Sequence, residues 1–173
     1  MFDYQQTAEA EGRTPEAKVW SVLISQIWNG LPGYCHGTPD LKPVWVPFAC
    51  LRPGSHNNEQ ALTTTFSQLL SQLIYSQEEL RPAILKALKA MVDSNVSLAS
   101  EDDGSEGSSV VKHISRKTAQ ENVAFLKTQA DSWLAVLFNV FGTVESEGRG
   151  KIGDVIKAWA GIAKPEAGLV HYL

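Results

Sequence analysis

The stretch of this 173-residue chain that comes nearest to a catalytic motif is Gly-Arg-Gly-Lys at residues 148–151. A phosphate-binding loop has the pattern Gly-x-x-x-x-Gly-Lys-Ser/Thr, in which backbone amides hold the phosphates and the hydroxyl binds magnesium. Here no glycine stands at the required distance upstream, and Ile152 occupies the place of the hydroxyl residue. The pattern therefore favours a polar turn between two helices over a nucleotide site.

Four thiol and imidazole side chains are candidate zinc ligands: Cys35, His36, Cys50 and His56. They lack the paired spacings of zinc fingers, and a cysteine in a folded protein often acts as a small hydrophobic residue. The sequence also contains no Gly-x-Ser-x-Gly elbow. We therefore predict no metal, no cofactor, no small-molecule substrate and no enzymatic activity. Two cysteines are too few for a disulfide framework, which indicates a reducing intracellular compartment.

A local excess of basic residues suggests contacts to phosphate groups. Residues 110–173 hold 8 Lys and Arg against 6 Asp and Glu, whereas residues 1–109 hold 7 against 13. The net charge of -4 argues against a protein that coats nucleic acid along its whole surface. The competing interpretation is a solvated helix start that balances the acidic residues before it. The candidate RNA- or partner-binding residues are Lys112, Arg116, Lys117, Arg149 and Lys151.

The elements that position these side chains have the spacing of amphipathic helices. Two strongly apolar helices are expected within residues 125–163, separated by a polar, glycine-rich turn at residues 143–150, and so short a turn predicts antiparallel packing. We expect this pair to be central to the fold. Neither apolar run reaches the roughly 20 residues that a bilayer requires, so no membrane span is predicted. The apolar positions of the pair are Trp133, Leu134, Leu137, Phe138, Phe141, Ile152, Val155, Ile156, Trp159, Ala160 and Ala163.

The remainder of the chain follows the same helical period. A helix is expected from Thr14, where the hydroxyl would cap it and Pro15 would open it, to the breakers Gly30, Pro32 and Gly33. No stretch alternates in the manner of a strand, and the helix pairs recur roughly every 40 to 50 residues, as in HEAT and armadillo arrays. The sequence therefore predicts an all-α, HEAT/armadillo-like α-solenoid segment of antiparallel helix pairs.

Four segments follow from this pattern. Residues 1–13 are expected to be a disordered or frayed N-terminus, residues 14–96 helical repeats, residues 97–112 a flexible acidic loop, and residues 113–173 further helical repeats that are truncated at the C-terminal end. The final apolar residues, including Leu169 and Tyr172, would have no following helix to pack against.

Several blocks resemble the ribosomal RNA-processing protein twelve family. Residues 27–35 (Ile-Trp-Asn-Gly-Leu-Pro-Gly-Tyr-Cys), followed by Thr-Pro-Asp at 38–40, are similar to its leucine-proline-x-phenylalanine-cysteine segment. Residues 80–88 fit the next helix of the family, and residues 133–141 with the stripe that ends at Ala163 are similar to another block. The similarity runs from about Thr14 to Ala163. Pro43 and Pro47 depart from the regular helix expected between these blocks.

The resemblance implies a central fragment of a large HEAT-repeat protein of the nucleolus and nucleus that shuttles to the cytoplasm. Its expected role is a non-catalytic scaffold in pre-ribosomal RNA processing, small-subunit assembly and nuclear export. The expected partners are proteins of the small-subunit precursor particle, with precursor RNA contacted here or through other parts of a longer chain. The alternative is a karyopherin-like HEAT module that binds a cargo protein or a small GTPase. The family offers no catalytic residues to transfer.

Overall fold

The computed structural model describes residues 2–39, 41, 48–49, 63–64, 66–100 and 114–163. Within these residues the fold is helical apart from one short strand pair, which confirms the predicted all-α class. β1 (Phe48–Ala49) pairs antiparallel with β2 (Thr63–Thr64), where only helical repeats were expected. The helices are α1 (Phe2–Ala10), α2 (Thr14–Cys35), α3 (Phe66–Ser76), α4 (Arg81–Ser100), α5 (Arg116–Thr143) and α6 (Ser146–Ile162).

The six helices form three hairpins that stack side by side. Within each hairpin, α1 packs on α2, α3 on α4, and α5 on α6. The second helices also contact one another in the order α2, α4, α6, while α3 contacts α5. Helices α4 and α6 run in the same direction, because Leu85 lies beside Val155 and the Leu88 carbonyl accepts a hydrogen bond from Trp159 Nε1 at 3.3 Å. Parallel equivalent helices in successive hairpins are the geometry of an α-solenoid.

The middle of this stack is α4, and not the α5–α6 pair that was expected at the centre. α4 contacts α2 on one side and α6 on the other, so it must be apolar on two flanks. Small residues such as Ala83 and Ala87 let the neighbouring helices approach. Its buried residues are Ala83, Ile84, Leu85, Ala87, Leu88, Met91, Val92, Ser94 and Asn95.

The α5–α6 hairpin has the predicted antiparallel packing, but a much shorter connection. The indole rings of Trp133 and Trp159 lie 6.0 Å apart between centroids, in the core of the hairpin. The predicted turn at residues 143–150 is wrong for most of its length, because α5 continues to Thr143 and α6 begins at Ser146. Polar and glycine residues are tolerated in the first turn of a helix, where the amide groups have no partner four residues earlier.

Helix α2 also differs from its predicted ends. Arg13, and not Thr14, holds the cap position, and it makes no side-chain capping hydrogen bond. The helix passes through Pro32 and ends at Cys35. Proline removes only one backbone hydrogen bond of the helix there, and burial of Cys35 in the core stabilises the last turn. Gly37, at a φ of 66°, then turns the chain away.

The predicted frayed N-terminus differs from the structure, in which Phe2–Ala10 forms α1 against α2. The ring of Tyr4 stacks on that of Trp20 with centroids 5.4 Å apart, and Ala8 is fully buried. The sequence does not predict these contacts, because a helix of nine residues with weak apolar periodicity is stabilised mainly by packing against the rest of the fold.

The acidic loop predicted at residues 97–112 is wrong over residues 97–100, which belong to α4. Residues 101–112 lie outside the described residues. Ser115 then caps α5, and its side-chain oxygen accepts a hydrogen bond from the Thr118 amide at 3.1 Å. Within the predicted helical segment 113–173, the first described helix thus begins at Arg116.

A buried polar cluster joins all three hairpins where the ends of α2 and α4 lie beside the start of α5. Asn122 Nδ2 on α5 donates to the Thr38 carbonyl at 3.1 Å and to Asn95 Oδ1 on α4 at 3.0 Å. Asn95 Nδ2 in turn donates to the Met91 carbonyl at 2.8 Å. The Gly37 amide, just after α2, donates to Ser94 Oγ at 3.3 Å. These bonds fix where the end of α2 sits relative to α4 and α5.

Candidate functional site

The predicted basic residues form two separate pairs. Lys112 lies outside the described residues. Arg116 and Lys117 begin α5, whereas Arg149 and Lys151 lie near the start of α6, beside the opposite end of α5. Since α5 has 28 residues, the two pairs are separated by about 40 Å along its axis. They cannot contact the same phosphate group.

Two of these cations also stabilise the local structure. The Arg149 guanidinium carbon lies 5.5 Å from the centre of the Phe141 ring, and its Nε donates to the Val144 carbonyl at 3.0 Å. Arg116 Nε donates to the Ala99 carbonyl at 3.3 Å. Both side chains remain exposed, so their outer edges can still meet an anion.

Lys151 faces a different neighbour from Arg149, because two residues on a helix are about 200° apart around its axis. Lys151 lies against α4, where it lines a cavity together with Lys86 and Lys89. Neither Lys86 nor Lys89 was predicted as a site residue from the sequence. Their spacing on one helix gives no sign of Lys151, which is 65 residues away from Lys86 and meets it only through the packing of α4 on α6.

The side of α2 that faces away from α4 carries exposed apolar residues. No charged residue occurs between Lys18 and His36, so this part of the helix is uncharged on every side. Ala17, Ile24 and Cys35 face the core. We call the opposite set the α2 outer stripe; it consists of Val19, Val22, Leu23, Ile27 and Tyr34, which are 58%, 55%, 39%, 53% and 81% exposed.

The other end of the described stack has a polar surface. The exposed residues of α6 include Lys151, Asp154 and Lys157, with Lys157 Nζ 3.9 Å from Asp154 Oδ1. The apolar C-terminal end that was expected to be exposed, residues 164–173, lies outside the described residues. Within the described part, the uncovered apolar face is on the first hairpin.

The structure gives no support for a metal site among the described residues, which contain no cluster of three candidate ligands. Cys35 is buried, and burial raises the pKa of its thiol to about 11. A thiol with so high a pKa is a poor nucleophile and a poor zinc ligand near neutral pH. Cys50 and His56 lie outside the described residues. Residues 148–151 belong to the helix α6, so they form no phosphate-binding loop.

Within the described ranges, no helix is long and apolar enough to span a membrane.

Comparison with known proteins gives one consistent family. The family model described as "Ribosomal RNA-processing protein 12, HEAT repeats" matches residues 1–144. Ribosomal RNA-processing protein 12 of Saccharomyces cerevisiae is 31% identical over 151 residues, which cover 87% of this chain and 11% of that protein. A relative from Schizosaccharomyces pombe is 31% identical over 143 residues, which cover 83% of this chain and 11% of the length of that relative.

A more distant relative, the RRP12-like protein of Gallus gallus, is 22% identical over 162 residues, covering 91% of this chain and 10% of that protein. The chain thus spans about one tenth of the length of these curated relatives. No solved structure matches. The family match includes α1, which was expected to lie outside the repeats, and it ends at Val144, before α6. Its description as HEAT repeats agrees with the stacked hairpins and confirms the predicted solenoid class.

Proposed function

Because this chain belongs to the ribosomal RNA-processing protein 12 family, we propose that it is a non-catalytic scaffold segment of a ribosome-biogenesis factor. The proposed process is pre-ribosomal RNA processing with assembly and nuclear export of the small subunit. The proposed partners are proteins of the small-subunit precursor particle, with precursor RNA as a second partner. The corresponding location is the nucleolus and nucleus, with shuttling to the cytoplasm.

The observation that carries a scaffold role is the α2 outer stripe. Three β-branched residues of this stripe, Val19, Val22 and Ile27, are each more than half exposed on a length of helix without charges. Contiguous exposed apolar surface on a soluble domain marks an interaction site. An uncharged helix face has no ion-pairing groups to offer, so its partner should be another apolar helix face. Hairpin stacking of this kind is how helical repeats bury their surfaces.

The test is a pair of substitutions that place charge in the stripe, Val22→Asp and Ile27→Asp, in the tagged chain. Both positions are exposed, so folding should be retained, and circular dichroism checks this. We expect loss of co-sedimentation with small-subunit precursor particles, because a carboxylate buried in an apolar interface without a partner is strongly unfavourable. Ser132→Asp, an exposed position on α5, is the matched control and should behave as the unaltered chain.

Unchanged co-sedimentation of both stripe variants would refute the scaffold role of this face. Capture of one protein that depends on a guanine nucleotide, and is lost in the same variants, would support the karyopherin-like alternative instead.

A further inference from the structure

The packing of α4 against α6 leaves a cavity of about 190 Å³ that opens to the surface. Its apolar lining comes from Pro82 and Leu85 of α4 and Val155 of α6. Leu85 and Val155 belong to the core, which fixes the shape of the cavity. Pockets for drug-sized ligands occupy about 300–1,000 Å³, so this cavity has room for one side chain rather than for a cofactor.

Lysines from both helices surround the cavity. Lys86 and Lys89 extend from α4 and Lys151 from α6. Lys89 forms an ion pair with Asp93. Lys86 and Lys151 are exposed and pair with no acidic residue in the described part of the chain. The rim therefore offers two positive charges without an ion-pair partner among the described residues, one on each side of the apolar cavity.

Asp154 is the acidic residue at this rim, and its position limits the positive potential. Its carboxylate lies 3.9 Å from Lys157 Nζ on the same helix, which weakens its effect on the cavity. Hydrogen bonding and charge interaction with Asp93 raise the pKa of Lys89, and Asp154 adds to this effect. Lys89 thus remains cationic at neutral pH.

The chemistry of the cavity distinguishes two kinds of anionic ligand. Bases of single-stranded RNA are bound by stacking on aromatic or Arg groups and by hydrogen bonds to their edges. Among the described residues, the lining contains no aromatic residue and no arginine, and its apolar part offers no hydrogen-bonding side chain. An aliphatic side chain fits such a lining better than a nucleobase, and carboxylates beside it would meet Lys86 and Lys151.

We propose that this cavity is a docking site for an acidic protein segment, which inserts one large apolar side chain between α4 and α6 and places flanking carboxylates on Lys86 and Lys151. The site adds a second protein-binding surface to the scaffold. It does not depend on the α2 outer stripe or on RNA binding, so each can fail separately.

The test measures fluorescence anisotropy of a labelled short peptide in which one leucine is flanked on both sides by glutamates. Binding to the full chain should weaken by roughly tenfold in Lys86→Glu and in Lys151→Glu, because each change replaces an attraction to a glutamate of the peptide by a repulsion. Asp154→Asn should strengthen binding several-fold. Lys127→Glu, an exposed lysine on α5, is the matched control and should leave binding unchanged.

A second peptide, in which serine replaces the leucine, tests the cavity without disturbing the core of the protein. It should bind at least roughly tenfold more weakly, since the serine side chain cannot replace the apolar surface that leucine would bury in the cavity. Equal binding of the two peptides, or no binding of either, would overturn the proposal. Stronger binding of a labelled oligouridine than of the leucine peptide, abolished in the same lysine variants, would replace it by a phosphate-binding site.

Discussion

At the scale of single residues, Asn122 is a side chain that links all three hairpins by hydrogen bonds. It is 3% exposed, and its amide nitrogen supplies hydrogen bonds both to Thr38 and to Asn95. A buried polar atom that loses its hydrogen-bond partner lowers the free energy of unfolding by about 1–3 kcal/mol. Truncation of an exposed amide leaves no buried atom without a partner.

We therefore expect Asn122→Ala to lower the free energy of unfolding by about 2 kcal/mol, because Asn95 Oδ1 and the Thr38 carbonyl both lose their donor. Urea unfolding followed by circular dichroism measures the change. Asn139→Ala on the exposed side of the same helix is the control and should stay within about 0.5 kcal/mol of the unaltered chain. Equal stability of the two variants would show that the cluster does not hold the hairpins together.

The residue scale also shows how far the sequence can predict a site. Arg116 and Lys117 could be identified as surface cations at a helix start, and Arg149 and Lys151 as surface cations at a turn, because charge and capping patterns are local. The rim that Lys151 shares with Lys86 could not be identified, because only the contact of α4 with α6 brings these residues together. The pairing of Asn95 with Asn122 across 27 positions escaped prediction for the same reason.

At the scale of elements, the start of α6 depends on a close approach at Gly148. A Cβ atom at this position would lie 2.4 Å from Val144 Cγ1, well inside van der Waals contact. Val144 is β-branched and has little rotamer freedom to move away. At Gly150, in contrast, an added Cβ would have no other heavy atom within 4 Å. The two glycines of one motif thus have opposite structural roles.

We expect Gly148→Ala to lower the free energy of unfolding by about 1 kcal/mol, because the overlap with Val144 exceeds the helix preference of alanine. Gly150→Ala is the matched control and should raise stability by up to about 1 kcal/mol. Thermal unfolding distinguishes the two. In a chain that already carries Val144→Ala, the further change Gly148→Ala should no longer lower the free energy of unfolding. If it lowers this free energy as much as it does in the unaltered chain, the close approach is absent.

The ends of elements were harder to predict than their existence. The apolar stripes of α2, α5 and α6 were evident, since each repeats with the helical period over many residues. Their predicted boundaries were wrong where proline or glycine was expected to end a helix, at Pro32 and at residues 143–150. In both places tertiary burial of the next turn, by Cys35 and by Ile152, outweighs a local preference of a few kcal/mol.

At the scale of the whole molecule, the stack of hairpins has two different ends. The first hairpin exposes the α2 outer stripe, and the last described helix exposes Lys151, Asp154 and Lys157. The helical periodicity of the sequence predicted the hairpins, but it does not show which helix lies in the middle of the stack. That depends on which faces meet, and α4 becomes central because both of its flanks are covered.

The separation of the two basic pairs predicts how this molecule would bind RNA. Arg116 and Lys117 lie about 40 Å from Arg149 and Lys151, which themselves lie on different sides of α6, so one continuous RNA strand would meet the two pairs at separate places. Charge reversal of either pair should reduce the slope of log affinity against log salt by about one unit for each phosphate that the protein no longer neutralises, without abolishing binding. Reversal of both pairs should reduce the slope by the sum of the two effects, and reversal of Lys112 as well should reduce it by about one further unit. Filter binding of a labelled single-stranded RNA across a salt series measures the slopes, and Lys127→Glu serves as the control. If no slope changes, the five cations are solvated surface and the scaffold binds only proteins; if reversal of one pair removes all binding, the two pairs do not act independently.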